Sequence, residues 1–162
     1  MRSSKAVINT SPWISLAVCG QTDLLKSLYK NILIPPAVKK EIIAGGKSRI
    51  GVRELENATW IQSVEVKDSE KVFLLHELDR GEAEVIILAQ EQSADEVIID
   101  EKVARMHAQV FGIEVVGTLG LLLRARKRGL IHELRPLIDR ILEGGIFISR
   151  DIVHDILREA GE

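Results

Sequence analysis

A single cysteine, Cys19, among 162 residues excludes a disulfide framework within the chain. It lies in an apolar context with no histidine near it in sequence, which reads as a small buried residue in a reducing compartment rather than a nucleophile. Long hydrophobic runs are also missing: none approaches the ~20 residues that a membrane-spanning helix needs. The opening Met1-Arg2-Ser3-Ser4-Lys5 leads only into Ala6-Val7-Ile8 before polar residues return, too short for a secretory core. A cytoplasmic protein without a membrane segment is expected. Positive charge is not in excess, since the formal net charge is −2. Any nucleic-acid binding must therefore use a local basic patch. There is no glycine-rich phosphate loop, no Gly-x-Ser-x-Gly and no paired-cysteine zinc spacing. His76, His107, His132 and His154 have no metal-like partner three or four residues away and read as surface or half-buried groups.

The chain is 46% hydrophobic and 28% charged, the balance of an ordinary soluble globular protein, and its length suits one domain with a substantial core. Strand and helix signals alternate along it, which favours an α/β fold with a mainly parallel sheet between two layers of helices. Strands are expected at 6–8, 31–34, 60–66, 96–99 and 113–116. The Trp60 to Val66 stretch alternates like a strand at a sheet edge. Ser11 followed by Pro12 reads as an N-cap and first helical position. Further helices are expected through 24–28, over 37–44 with a stop at Gly45-Gly46, loosely over 47–58, then over 69–78, 82–92, 103–110 and 117–128. The last two helices, 131–142 and 149–160, would form a C-terminal extension.

Chemistry-bearing groups recur where apolar runs stop. Asp100 follows Val97-Ile98-Ile99, so it should stand at the carboxyl end of a buried strand, where open α/β sheets bind ligands. Capping of a helix beginning at Glu101 would equally explain it, and Glu101 itself suits a helix dipole. Asn9 holds the same kind of place after the first strand; its amide oxygen can ligate a hard cation, or form a turn into the Ser11 cap. Thr10 and Ser11 bring hydroxyls to that region. Glu82 shares a helix face with Val85, Ile86 and Ala89, and an inward carboxylate is costly unless it binds metal or pairs with a cation. Glu84 lies about 200° round the helix from it by the 3.6-residue period. Glu41, on a short helix beside Ile42-Ile43, matters only in the company of the others. The run Arg124-Ala125-Arg126-Lys127-Arg128 ends a helix, where cations suit the dipole or can hold a nucleic-acid backbone.

In order, the segments Val7-Ile8-Asn9-Thr10-Ser11-Pro12, Ile34-Pro35-Pro36-Ala37-Val38 with Glu41, Leu78-Asp79-Arg80-Gly81-Glu82-Ala83-Glu84, Ile99-Asp100-Glu101-Lys102-Val103-Ala104-Arg105 and Val116-Gly117-Thr118-Leu119-Gly120-Leu121-Leu122 resemble the PIN-domain superfamily. The likeness is closest to its branch of small prokaryotic proteins and extends over nearly the whole chain. The resemblance implies a three-layer α/β/α fold with acids holding one or two Mg²⁺ or Mn²⁺ ions. It implies a ribonuclease acting on single-stranded RNA, in many members the toxin of a toxin–antitoxin pair, with an antitoxin protein as partner and commonly a homodimer. By position, the acids of the pattern fall on Asn9, Glu41, Glu82 and Asp100, which become the catalytic and metal-ligating candidates. Ser11, Thr10, Glu84, Glu101 and Thr118 are supporting candidates. Arg105, Arg124, Arg126, Lys127 and Arg128 are candidates for holding nucleic acid.

Asn9 departs from the broader superfamily, which places Asp there. Losing one charge should weaken metal affinity, and replacing one ligand or its supports can cost ten- to a hundredfold in affinity or activity. A second reading is therefore a weakly active or inactive PIN-like domain that binds nucleic acid or a protein. A phosphoacceptor receiver domain also uses acids at strand ends, but it wants an acid pair after its first strand, where Asn9-Thr10 stands.

Overall fold

Ala6, Val7 and Ile8 are wholly buried, which places β1 (Ser3–Ile8) in the middle of a five-stranded sheet. The computed structural model describes residues 3–45 and 49–162. On one side of β1 lie β2 (Tyr29–Ile34) and then β3 (Ile61–Ser63); on the other lie β4 (Glu96–Ile98) and β5 (Glu114–Val116). All four pairings are parallel, with Val7 in register with Leu33 on one side and Val97 on the other. Continuous apolar strands of this kind require cover on both faces.

The helices supply that cover. The first group comprises α1 (Thr10–Val18), α2 (Leu24–Leu28), α3 (Pro36–Ile43) and α4 (Val52–Asn57). Then come α5 (Ser69–Leu74), α6 (Arg80–Glu91), α7 (Lys102–Val110), α8 (Thr118–Lys127), α9 (Arg135–Glu143) and α10 (Arg150–Glu159). Right-handed crossovers put the helices leading outward from β1 on one face, and those leading back from β3 to β5 on the other. In the packing α6 lies on β1 and β4 and against α5 and α7, while α1 packs against α3, α8 and α9; α3 also meets α6, with Glu41 and Val38 against Gly81. The result is a three-layer α/β/α fold, as expected.

Several boundaries differ from the sequence expectation. Helix α1 starts at Thr10 with Asn9 at the N-cap position, so Pro12 falls third in the helix, where a missing N–H is still harmless. Only 61–63 of the expected edge strand pairs, although the Val64 N–H still reaches Ile34 O at 3.1 Å. Helix α5 stops at Leu74 rather than Leu78, and α9 begins at Arg135 because Pro136 belongs in a first turn. Gly46, part of the expected helix stop, and Lys47 and Ser48, part of the loosely helical stretch, lie outside the described residues.

Helix α6 departs most. Val85, Ile86, Ile87 and Leu88 are all fully buried, so it is a central helix apolar nearly all round rather than one with a single inward face.

A polar knot ties the edge of the sheet where the strands begin. Glu96, the first residue of β4, takes a very short hydrogen bond from the Tyr29 hydroxyl and two from the Arg124 guanidinium, at 2.5 and 3.2 Å. Burial and the Glu96 carboxylate hold the Tyr29 hydroxyl far above its usual pKa, and the same carboxylate raises that of Arg124.

Candidate active site at the carboxyl edge of the sheet

From β1 and β4 the chain leaves in opposite directions, towards β2 and β5, so the crevice between them is the switch point of the sheet. Asn9 and Asp100 stand there. The Asn9 N–H donates to Ile98 O at 3.0 Å, which holds the two strand ends together. Asn9 is only 5% exposed, and its side chain neither caps α1 nor makes another hydrogen bond among the described residues.

Asp100 is fixed by α8. One carboxylate oxygen accepts from the Thr118 N–H and the other from the Thr118 hydroxyl, both at 2.7 Å. It therefore caps α8, while the cap of α7 is Glu101, which accepts the Ala104 N–H at 2.8 Å. A Cβ on Gly117 would stand 2.9 Å from both Asp100 Oδ1 and Arg105 Nη1, so the close approach of these two side chains depends on glycine.

Glu41 arrives from α3. One of its oxygens accepts the Thr10 hydroxyl at 2.9 Å, and the other lies against Gly81, where any Cβ would overlap it. Glu82 faces the same space from the first turn of α6. It shares a capping box with Asp79: the Asp79 N–H donates to Glu82 at 3.1 Å, and Asp79 accepts the Glu82 N–H at 2.8 Å. Burial pushes the Glu82 carboxyl above its usual pKa. The Asp79 N–H opposes this, and the charges of Asp79, Glu101 and Glu41 push it further up.

Glu84 does not join them. It is buried with both oxygens engaged, accepting the Ala37 N–H at 3.1 Å and Arg80 Nε at 2.9 Å. Its role is to cap α3, whose first residue, Pro36, has no N–H of its own to offer.

Glu41, Glu82, Glu101 and Asp100 thus gather at one edge, and none of them forms an ion pair among the described residues. Hard oxygen donors of this kind suit Mg²⁺ or Mn²⁺ chemically. In the present side-chain positions, no three acid, histidine or cysteine groups among the described residues converge closely enough to hold an ion. Ligation would need carboxylates such as exposed Glu41 to turn inward.

Beside the acids opens a cleft of about 820 Å³. Thr10, Ser11, Asp100, Glu101, Arg105 and Thr118 line its polar end; aliphatic residues and Phe147 line the rest. Arg105 is half-buried and makes no ion pair or side-chain hydrogen bond among the described residues.

The basic run is elsewhere. Helix α8 begins at the acids with Thr118 and carries Arg126, Lys127 and Arg128 to its far end, ~14 Å away at 1.5 Å per residue. Arg124 is held by Glu96 on the opposite edge of the sheet. Lys127 lies 3.9 Å from Glu159. Of the five basic candidates, only Arg105 reaches the site.

A family model described as a PIN domain, DUF3368, matches residues 5–162. The chain belongs to the PIN-domain family. PIN domains are generally nucleases and typically use divalent metals. The fold is similar to that of a PilT N-terminus domain protein from the hyperthermophilic archaeon Sulfolobus solfataricus P2. That likeness has a TM-score of 0.56 at 19% identity, covering 75% of this chain and 92% of that one. No curated protein matches the sequence. Among the described residues, no helix of this PIN domain is long and apolar enough to cross a membrane.

Three residues at the site were not among the sequence candidates for it. Asp79 carried a usable signal, an acid three residues before Glu82. Ser15, buried in the cleft, lies one turn beyond Ser11 on the same helix face. Phe147 had no signal, because its place depends on how the C-terminal segments pack.

Proposed function

We propose that this PIN domain is a divalent-metal-dependent endoribonuclease acting on single-stranded RNA. The observation that carries the reading is the gathering of Glu41, Glu82, Glu101 and Asp100 at the switch point, none of them in an ion pair among the described residues; burial first, and then the charges of Asp79, Glu101 and Glu41, raise the pKa of Glu82. Asp100, Glu82 and Glu41 would hold Mg²⁺ or Mn²⁺, with Asn9 as a neutral oxygen donor and Thr10, Ser11 and Thr118 supporting them. Bound there, the ion supplies a water of lowered pKa and neutralises charge on the phosphate. Arg105 would hold a phosphate oxygen and orient the backbone. No protein nucleophile is required. The same chemistry suits the toxin of a toxin–antitoxin pair in a reducing cytoplasm, with an antitoxin protein as partner.

We extend the reading to a homodimer. Phe73, Leu74, Met106 and Val110 are exposed apolar side chains on α5 and α7, and the Glu77–His107 contact at 3.1 Å links the segment after α5 to α7. A two-fold contact would use this one patch on both copies.

The binding-only alternative also has support. Asn9 withholds a charge, and no three donors converge at present. Incubating a mixed-sequence single-stranded RNA with Mn²⁺ and either wild type or Asp100→Asn separates the two. Cleavage by the wild type alone supports the nuclease. Binding of the RNA without cleavage by either protein favours the alternative.

A further inference from the structure

We propose that the apolar half of the cleft is a base-stacking subsite, in which Phe147 holds an unpaired nucleobase of the RNA whose backbone Arg105 contacts. The inference rests on the nucleic-acid reading above and names how that site would recognise a single strand. Phe147 is 88% exposed, yet it sits on a strap that is fixed at both ends. Gly145 N–H donates to Leu142 O at 3.0 Å and Ile146 N–H to Ile141 O at 3.3 Å, fastening the strap to the end of α9. At its other end the Ser149 hydroxyl accepts the Ile152 N–H at 3.3 Å and starts α10. Ile146 and Ile148 pack against the core on either side of Phe147, so the ring is presented outward rather than left loose.

Two features of the cleft select a nucleotide as its occupant. Phe147 and the group of Asp100, Glu101 and Arg105 line the same cleft, which puts both within one cavity. Arg105 is a half-buried guanidinium that lies near Asp100 but forms no ion pair or side-chain hydrogen bond among the described residues, so its N–H donors stay open to a phosphate oxygen. A ligand that carries both a flat apolar ring and a phosphate can engage both residues of this one cleft. Double-stranded nucleic acid does not, because its bases are already stacked; a single strand does, and stacking on aromatic side chains tolerates any base.

The test uses the full chain in EDTA, so that nothing is cleaved, and measures equilibrium binding of two fluorescent strands of equal length. One is a mixed-sequence single-stranded RNA; the other is its abasic ribose–phosphate counterpart. The wild type is expected to bind the RNA more tightly than the abasic strand. Phe147→Ala should lose about tenfold in affinity for the RNA and nothing for the abasic strand, whereas Phe147→Trp should keep the RNA affinity. Arg105→Ala should weaken both strands alike. Unchanged RNA binding by Phe147→Ala overturns the subsite, and so does an equal loss on both strands, which would make the strap structural. If Phe147→Ala binds RNA normally while Mn²⁺-dependent cleavage still needs Asp100, the nuclease reading stands and only the subsite falls; a protein segment is then the occupant to seek. A wild type that neither binds nor cuts RNA overturns both.

Discussion

At the scale of single residues, Glu82 carries the most information. In the metal-free protein its carboxyl holds a proton more tightly folded than unfolded, because burial and the charges of Asp79, Glu101 and Glu41 disfavour the anion. Between the ordinary carboxyl value and the raised folded one, the native state binds more protons than the unfolded chain, so stability falls as pH rises through that window. Glu82→Gln keeps the oxygen that accepts the Asp79 N–H while removing the charge. The variant should be more stable than wild type at about pH 7, and the gain should vanish near pH 4, where an ordinary glutamate is largely protonated. Urea titrations at the two values check this; equal stability at neutral pH would contradict it. Legibility at this scale was uneven. Asp100 could be read as a site residue because three apolar residues before it forecast a strand end. Its hold on Thr118, eighteen residues on, could not, because that contact exists only once β5 has paired beside β4.

The elements were read more securely than the contacts between them. Short apolar runs closed by a turn or cap disclosed four of the strands, and the alternation of 60–66 disclosed β3, of which only 61–63 pairs. Helix α6 was read as one-faced because periodicity reports the average polarity of a side, not that neighbours cover every side. The basic run of α8 was visible in sequence, whereas its destination was not: ten helical residues carry it away from the acids that Thr118 touches. A paired change, Lys127→Glu with Arg128→Glu, should accordingly leave single-stranded RNA affinity unchanged. Arg105→Ala should weaken that affinity and lower the slope of its salt dependence by about one. Equilibrium binding across a salt series measures both, and a large loss from the α8 change would move the interface there. At the far edge of the sheet, Glu96→Gln leaves Arg124 without its ionic partner. Unfolding free energy should fall by about 2 kcal/mol in urea, with Mn²⁺-dependent cleavage per folded molecule unchanged.

For the whole molecule, the parallel sheet does two things at once. Its strand starts are closed by the Tyr29–Glu96–Arg124 knot, while its strand ends are left to gather acids and open a cleft. The apolar patch on α5 and α7 lies outside both. If a second copy covers it, Met106→Glu should turn a dimer into a monomer by light scattering while leaving the fold intact by circular dichroism. A wild type that is monomeric at all concentrations removes the dimer from the account. If the acids at the switch point form a cation site, calorimetric titration of the metal-free protein with Mn²⁺ will register it. Saturable binding to the wild type is expected, lost in Asp100→Asn and weakened in Glu82→Gln. Absence of binding to the wild type, or binding that both substitutions leave untouched, would contradict it.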